Sequence, residues 1–214
     1  MIQFEKLGIY LSKPIAFLLV VVYLVQSGLL VYLIADKLDL ERQISFQQSR
    51  INELEERLQI YKAIDDFQIG FTKDEVGDLA SVIYSESKKY HYDPMFTLAV
   101  ILTESSFRKG QTSHQGARGL MQVIPYVGED VAIRAGVDWT GTATLFEPEA
   151  NIKLGTRHLF EQILKFGNVK RALVAYNMGE TRLRSLMRKN RPLPKNYLNK
   201  VTERYNMLKE KYQV

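Results

Sequence analysis

The spacing of hydrophobic and polar positions changes twice along the chain and divides it into three regimes. Ile15 to Ala35 is a run of 21 residues without a charge, IAFLLVVVYLVQSGLLVYLIA. At about 1.5 Å of rise per residue, a helix of this length crosses a hydrocarbon core of roughly 30 Å. The run predicts a transmembrane helix over 15–35 behind a short tail, residues 1–14. It is longer than the apolar core of about 7–15 residues in a cleaved signal peptide, and Leu33-Ile-Ala-Asp36 is a poor cleavage site. Over residues 36–66 the apolar positions recur by sevens. Ile44, Ile51 and Leu58 form one row; Leu40, Gln47, Leu54 and Tyr61 form another, four positions earlier. Such an a/d seam predicts a stalk helix, either a short parallel coiled coil or a single amphipathic spacer. Arg50 at a g position would meet Glu55 of a parallel partner. Arg57 would meet Lys62, and Gln47 weakens the seam.

From Phe67 to Val214 the period is 3.6, which predicts an all-α domain. Thr72 and Glu75 form a capping box ahead of Val76, Leu79 and Ile83. Asp93-Pro94 reads as an N-cap with proline at the first helical position, ahead of Met95–Thr103. Pro125 and Pro148 open two further helices, Asn168 caps another that runs to Asn177, and Pro194 starts the last. Residues 108–118 read as a loop.

Charge separates the regions. Residues 1–66 carry 7 Lys+Arg against 9 Asp+Glu, and residues 67–214 carry 22 against 15. A basic domain suits an anionic polymer: nucleic acid, a lipid surface or a wall glycan. Lys6 and Lys13 before the span, against Lys37 after it, favour a cytoplasmic N-terminus and place residues 36–214 outside the cytoplasm. That location disfavours nucleic acid. The chain has no cysteine, so disulfides, thiolate zinc sites and a cysteine nucleophile are excluded. His91, His114 and His158 are far apart and form no metal-ligand spacing, so neither a metal nor another cofactor is expected. The basic run Arg182, Arg184, Arg188, Lys189, Arg191 reads first as a solvated face.

The candidate chemistry starts at Glu104, in the run Ala99-Val-Ile-Leu-Thr-Glu-Ser-Ser-Phe107. A carboxylate at the end of an apolar helix is costly when ionised, so its pKa should rise toward the range useful to a general acid. It has company: Gly116-Ala-Arg-Gly-Leu-Met-Gln122, Asn151-Ile-Lys-Leu-Gly155 and Ala175-Tyr-Asn-Met-Gly179. In this order the motifs resemble the soluble lytic transglycosylase family, over roughly residues 75–205. The resemblance implies a goose-lysozyme-like helical domain that cleaves the β-1,4 bond between N-acetylmuramate and N-acetylglucosamine in peptidoglycan. It implies one catalytic group, Glu104, acting as acid and then as base, and products with 1,6-anhydro ends.

The resemblance also gives the other residues their roles. Ser105 would bond near Glu104 or the substrate, and Gly119 would let the backbone approach the sugar. Met121 would wall the groove, and Gln122 would bond substrate or orient Glu104. Tyr176 would aim its hydroxyl at Glu104 or the acetamido group, Asn177 would bind sugar amides, and Tyr197 would line the cleft from the last helix. The chain departs from the family pattern at Lys195-Asn196, where Glu-Thr is frequent, and at Glu147, where Asp is frequent. The expected protein is a bacterial inner-membrane enzyme with its catalytic domain in the periplasm. Residues 38–66 are available to a second copy or to an envelope machine. The rival readings are a lysozyme-type hydrolase of the same bond and a non-catalytic wall-binding scaffold.

Overall fold

The computed structural model describes residues 2–4 and 9–212. The rest of the N-terminal tail, including Lys6, lies outside the described residues, as do 213 and 214. Two three-residue strands, Ile2–Phe4 (β1) and Ile9–Leu11 (β2), pair antiparallel ahead of the first helix. Every other element is helical. The chain divides into two compact units, Met1–Glu53 and Leu54–Val214.

Helix α1 (Lys13–Phe67) is continuous over 55 residues and begins in the first unit. It is the one helix among the described residues long and apolar enough to cross a membrane. The apolar side chains of its span find no protein to cover them; Phe17, Leu24 and Tyr32 are 72%, 62% and 64% exposed.

In the second unit the end of α1 joins the helices expected from residue 67 onward. Ile60, Ala63 and Ile64, at the end of α1, are at most 1% exposed and belong to the main core. The heptad rows had drawn attention to another face of the same helix, whose Leu54 and Leu58 stay open at 58% and 52%. The last turns of α1 therefore serve as a core helix. Glu56 takes an ion pair from Lys88, and Arg57 donates to Ser81 Oγ.

Helix α2 (Lys73–Lys89) starts at the predicted capping box: Thr72 N–H donates to Glu75 Oε2 at 2.9 Å, and Glu75 N–H to Thr72 Oγ1 at 3.3 Å. Helix α3 (Pro94–Ser105) is capped by Asp93, which accepts from Met95 N–H. Nine of its twelve residues are buried, which is why it is apolar all round and not along one stripe. Thr97 is tolerated inside because its hydroxyl pairs with that of Ser87 at 2.8 Å. Helix α4 (Pro125–Ala135) stops at left-handed Gly136, and a short 3-10 turn, Thr142–Phe146, leads into α5 (Pro148–Phe166). Helix α5 packs against α2, α4 and α6 (Val169–Met178). Helix α7 (Glu180–Arg188) carries the first three arginines of the basic run, which the sequence had not marked as a helix. Helix α8 (Asn196–Tyr212) starts two residues beyond Pro194 and lies along α3.

α8 fastens both ends of α3. Tyr205 and Lys209 reach Asp93 Oδ2 at 2.8 and 3.0 Å, and the Arg204 guanidinium donates to the Leu102 carbonyl. Val201 and Leu208 are buried beneath, each worth about 1.5–3 kcal/mol of apolar transfer.

Candidate active site

Glu104 sits in the last turn of α3. Ser106 and Phe107 follow at φ 53° and 55°, left-handed values that turn the chain away, and the Phe107 ring is fully buried as an anchor. The carboxyl group lines a groove segment of about 330 Å³ together with His114, Gln115, Gln122, His158, Tyr176 and Asn177. Burial pushes its pKa up to about 7, against a single opposing influence, the hydrogen bond donated by Tyr197 Oη at 2.5 Å. Burial and the facing carboxylate push the Tyr197 phenol well above its ordinary value, so it remains a donor. Among the described residues lining this segment, Glu104 is the only carboxyl group. No cluster among the described residues has the composition of a metal site.

One buried amide builds the loop opposite Glu104. Asn151, in the first turn of α5, accepts from Met121 N–H at 2.7 Å and donates to the Arg118 and Leu145 carbonyls at 2.8 and 2.9 Å. Gly119, at φ 77°, leaves room for it: a Cβ there would lie 2.2 Å from Asn151 Nδ2 and 2.3 Å from the Leu145 carbonyl oxygen. Gly155, one turn further along α5, leaves room for Met121, whose Sδ would lie 2.6 Å from a Cβ at that position. Gln122 closes the loop at φ 48°, its amide nitrogen donating to the Gly119 and Gln111 carbonyls at 2.8 and 3.2 Å.

Five of the residues picked out by sequence come to the groove: Glu104, Gln122, Tyr176, Asn177 and Tyr197. Three roles need correction. Ser105 is buried and its hydroxyl donates back to the Ile101 carbonyl within the helix, so it is not aimed at Glu104 or the groove. Gly119 is needed where it stands to leave room for the Asn151 side chain. Met121 is fully buried against Gly155 and is a core residue, not a groove wall. Tyr176 donates to the Met121 carbonyl at 2.8 Å instead of to Glu104, which couples the loop to α6.

Sequence reasoning missed three residues. Asn151 stood in a quoted motif, and a polar residue on the apolar face of a helix was the available signal. His158 lies over the Tyr176 ring, centroids 5.3 Å apart, and burial lowers its pKa, which keeps it neutral. Gln115 is an exposed loop residue with no distinguishing pattern.

Residues 81–199, more than half of the chain, match the family model described as the transglycosylase SLT domain. The chain belongs to the SLT transglycosylase family. A transglycosylase of Enterobacteria phage PRD1 is 34% identical over 97 residues, 45% of this chain and 33% of that protein. The membrane-bound lytic murein transglycosylase C of Cronobacter sakazakii is 42% identical over 82 residues, 36% of this chain and 22% of that protein. A solved structure of an inactive mutant of lytic transglycosylase Slt from Pseudomonas aeruginosa superposes with a TM-score of 0.48 at 26% identity, covering 60% of this chain and 22% of that one. The chain thus spans a third or less of the length of these relatives. The SLT match runs from within α2 to within α8 and encloses Glu104, the Asn151-centred loop and Tyr197. It leaves out the buried end of α1, so this SLT domain is completed by a helix from outside the matched stretch. Of the two departures from the family pattern, Asn196 lines the groove, while Glu147 precedes α5 without a side-chain cap bond.

Proposed function

We propose that this protein is a membrane-anchored peptidoglycan lytic transglycosylase in which Glu104 is the single acid and base. The observation that carries the reading is a carboxyl group with its pKa near neutrality, alone of its kind in a groove segment. At pH 6 it is mostly protonated and can donate to the glycosidic oxygen between N-acetylmuramate and N-acetylglucosamine. The substrate's own 2-acetamido oxygen stabilises the positive charge left on the anomeric carbon. Glu104, now ionised, takes the proton of the muramyl 6-hydroxyl as that oxygen closes on the anomeric carbon. The products are a free 4-hydroxyl and a 1,6-anhydro end, and no water is consumed. A hydrolase of the usual two-carboxylate kind needs a second, available carboxylate within about 5–10 Å; the segment itself has no other among its described lining residues, and the carboxylates of the adjoining space, Asp130, Glu161 and Glu180, are engaged by Arg134, Arg157, Lys165 and Arg184. Tyr197 orients the acid and, by bonding its ionised form, keeps its pKa from rising further.

The N-terminal span would hold the enzyme in the inner membrane with the catalytic domain on the periplasmic side. The exposed run of α1 and the membrane-bound name of one relative support this placement. The stalk face bearing Leu40, Ile44 and Ile51 is open to a second copy or an envelope partner.

Glu104→Gln keeps the shape and removes the proton, and should lower turnover on purified sacculi at least about 100-fold. Mass spectrometry of the parent's products should find anhydro ends; reducing ends would replace this mechanism with hydrolysis. Because the acid must start protonated, kcat/KM should fall about tenfold per pH unit above about 7.

A further inference from the structure

Helix α3 ends on the acid, yet it carries no cation of its own in its last turn. The C-terminal end of a helix gathers partial negative charge and favours a positive group. Here that group comes from α8. The half-buried Arg204 guanidinium donates to the Leu102 carbonyl, just ahead of Glu104 in the chain. The same carbonyl accepts from the N–H and the hydroxyl of Ser106, at 3.1 and 3.3 Å, so α3 is turned and tied at one point. Tyr197, Val201 and Arg204 recur at helical spacing and share the face of α8 laid on α3. Arg204 therefore stands on the same face as the phenol that bonds Glu104. Its charge acts on that phenol, favouring the ionised form against burial and the Glu104 carboxylate. The other titratable groups around the pair are Tyr176 of α6, with Tyr92 behind it, His158 of α5 and His114 of the loop.

The far end of α3 is held separately, by Tyr205 and Lys209 on Asp93. Those contacts fix α8 where α3 begins, whereas the Arg204 bond fixes it where α3 delivers the acid. A catalytic group displaced by about 1 Å can cost about 100-fold in rate, so register matters most at this end. We infer that Arg204 is a positioning residue for the reaction: by holding the Leu102 carbonyl it sets where α8 lies along the last turn of α3, and so keeps the Tyr197 phenol on the Glu104 carboxyl. Arg204 lines neither the Glu104 segment nor the space adjoining it, so it acts through the pair and not on the sugar. The inference rests on the transglycosylase reading and names what holds its acid in place.

The test uses the full-length chain in detergent, acting on purified sacculi. Arg204→Met keeps an apolar stem and removes both the donor and the charge. It should lower kcat about tenfold, with KM within about twofold of the parent. With the phenol loosened, the hydrogen bond that favours ionised Glu104 weakens, so the alkaline limb of kcat/KM should move up from about pH 7 by up to about one unit. Tyr197→Phe should move the limb the same way, and adding Arg204→Met to it should move it no further. Arg204→Lys should restore part of both effects. Arg204→Gln, a milder change, should show the same two effects and carries the test if Arg204→Met does not fold. Tyr205→Phe loosens the far end of α3 and should lower the thermal midpoint without moving the limb. An unaltered kcat or an unmoved limb in whichever of Arg204→Met and Arg204→Gln folds, or a limb shift of the same size in Tyr205→Phe, overturns the assignment. No cleavage by the parent itself defeats the transglycosylase reading, and this inference with it.

Discussion

The chain contains two strongly apolar helical stretches, and they meet opposite surroundings. In α3 the apolar residues are packed by α2 and α8, and the helix stops after three turns. In the early part of α1 they continue for 21 residues and, among the described residues, stay exposed. Hydrophobicity alone does not decide whether a helix enters a protein core or a lipid bilayer; length and available neighbours do. α1 holds an exposed apolar run in its early part and three buried core residues in its last turns.

The sharpest way to break this contrast is to cut α1. Removing residues 1–53 should yield a soluble, folded domain. Removing 1–66 takes Ile60, Ala63 and Ile64 with it, and should cost several kcal/mol of apolar burial. Circular dichroism melts of the two truncations would decide it; equal stability would return those residues to the stalk. Next comes a pair of truncated side chains. Ile101→Ala in α3 should destabilise the domain by about 2–5 kcal/mol, whereas Leu24→Ala in the span should leave its denaturation midpoint unchanged. The smallest effect concerns the carboxyl at the end of α3. Its folded pKa of about 7 lies above the unfolded value near 4.5, so the folded state holds the extra proton between them. Stability is then full below about pH 4.5 and falls as pH rises through 7. Glu104→Gln should match the parent at pH 4 and exceed it at pH 8 by up to about 3 kcal/mol, read from urea midpoints at both values. An identical difference at the two pH values would mean that burial does not perturb this group.

Much of this was legible in sequence, for identifiable reasons. Capping chemistry is local, so Thr72, Asp93 and Asn168 announced three helix starts, and the long apolar N-terminal helix declared itself by its uncharged run. Glu104 was conspicuous because ionisable groups are rare in apolar helices. The roles of Ser105, Met121 and Tyr176 were not legible, because they depend on which way a side chain points. One helical position decides whether a hydroxyl meets a groove or its own preceding turn. The stalk boundary misled for a related reason. A helix has several faces, and the heptad rows at Leu54 and Leu58 gave no hint that Ile60 and Ile64 would join a core assembled from far along the chain.

Ninety-three residues separate Glu104 from the phenol that steadies it, and the same late helix ties down both ends of α3. A ribosome that has released the first eight tenths of this polypeptide has delivered the acid without its partner. The pair that defines the site is therefore complete only once the last helix of the chain has been made and docked.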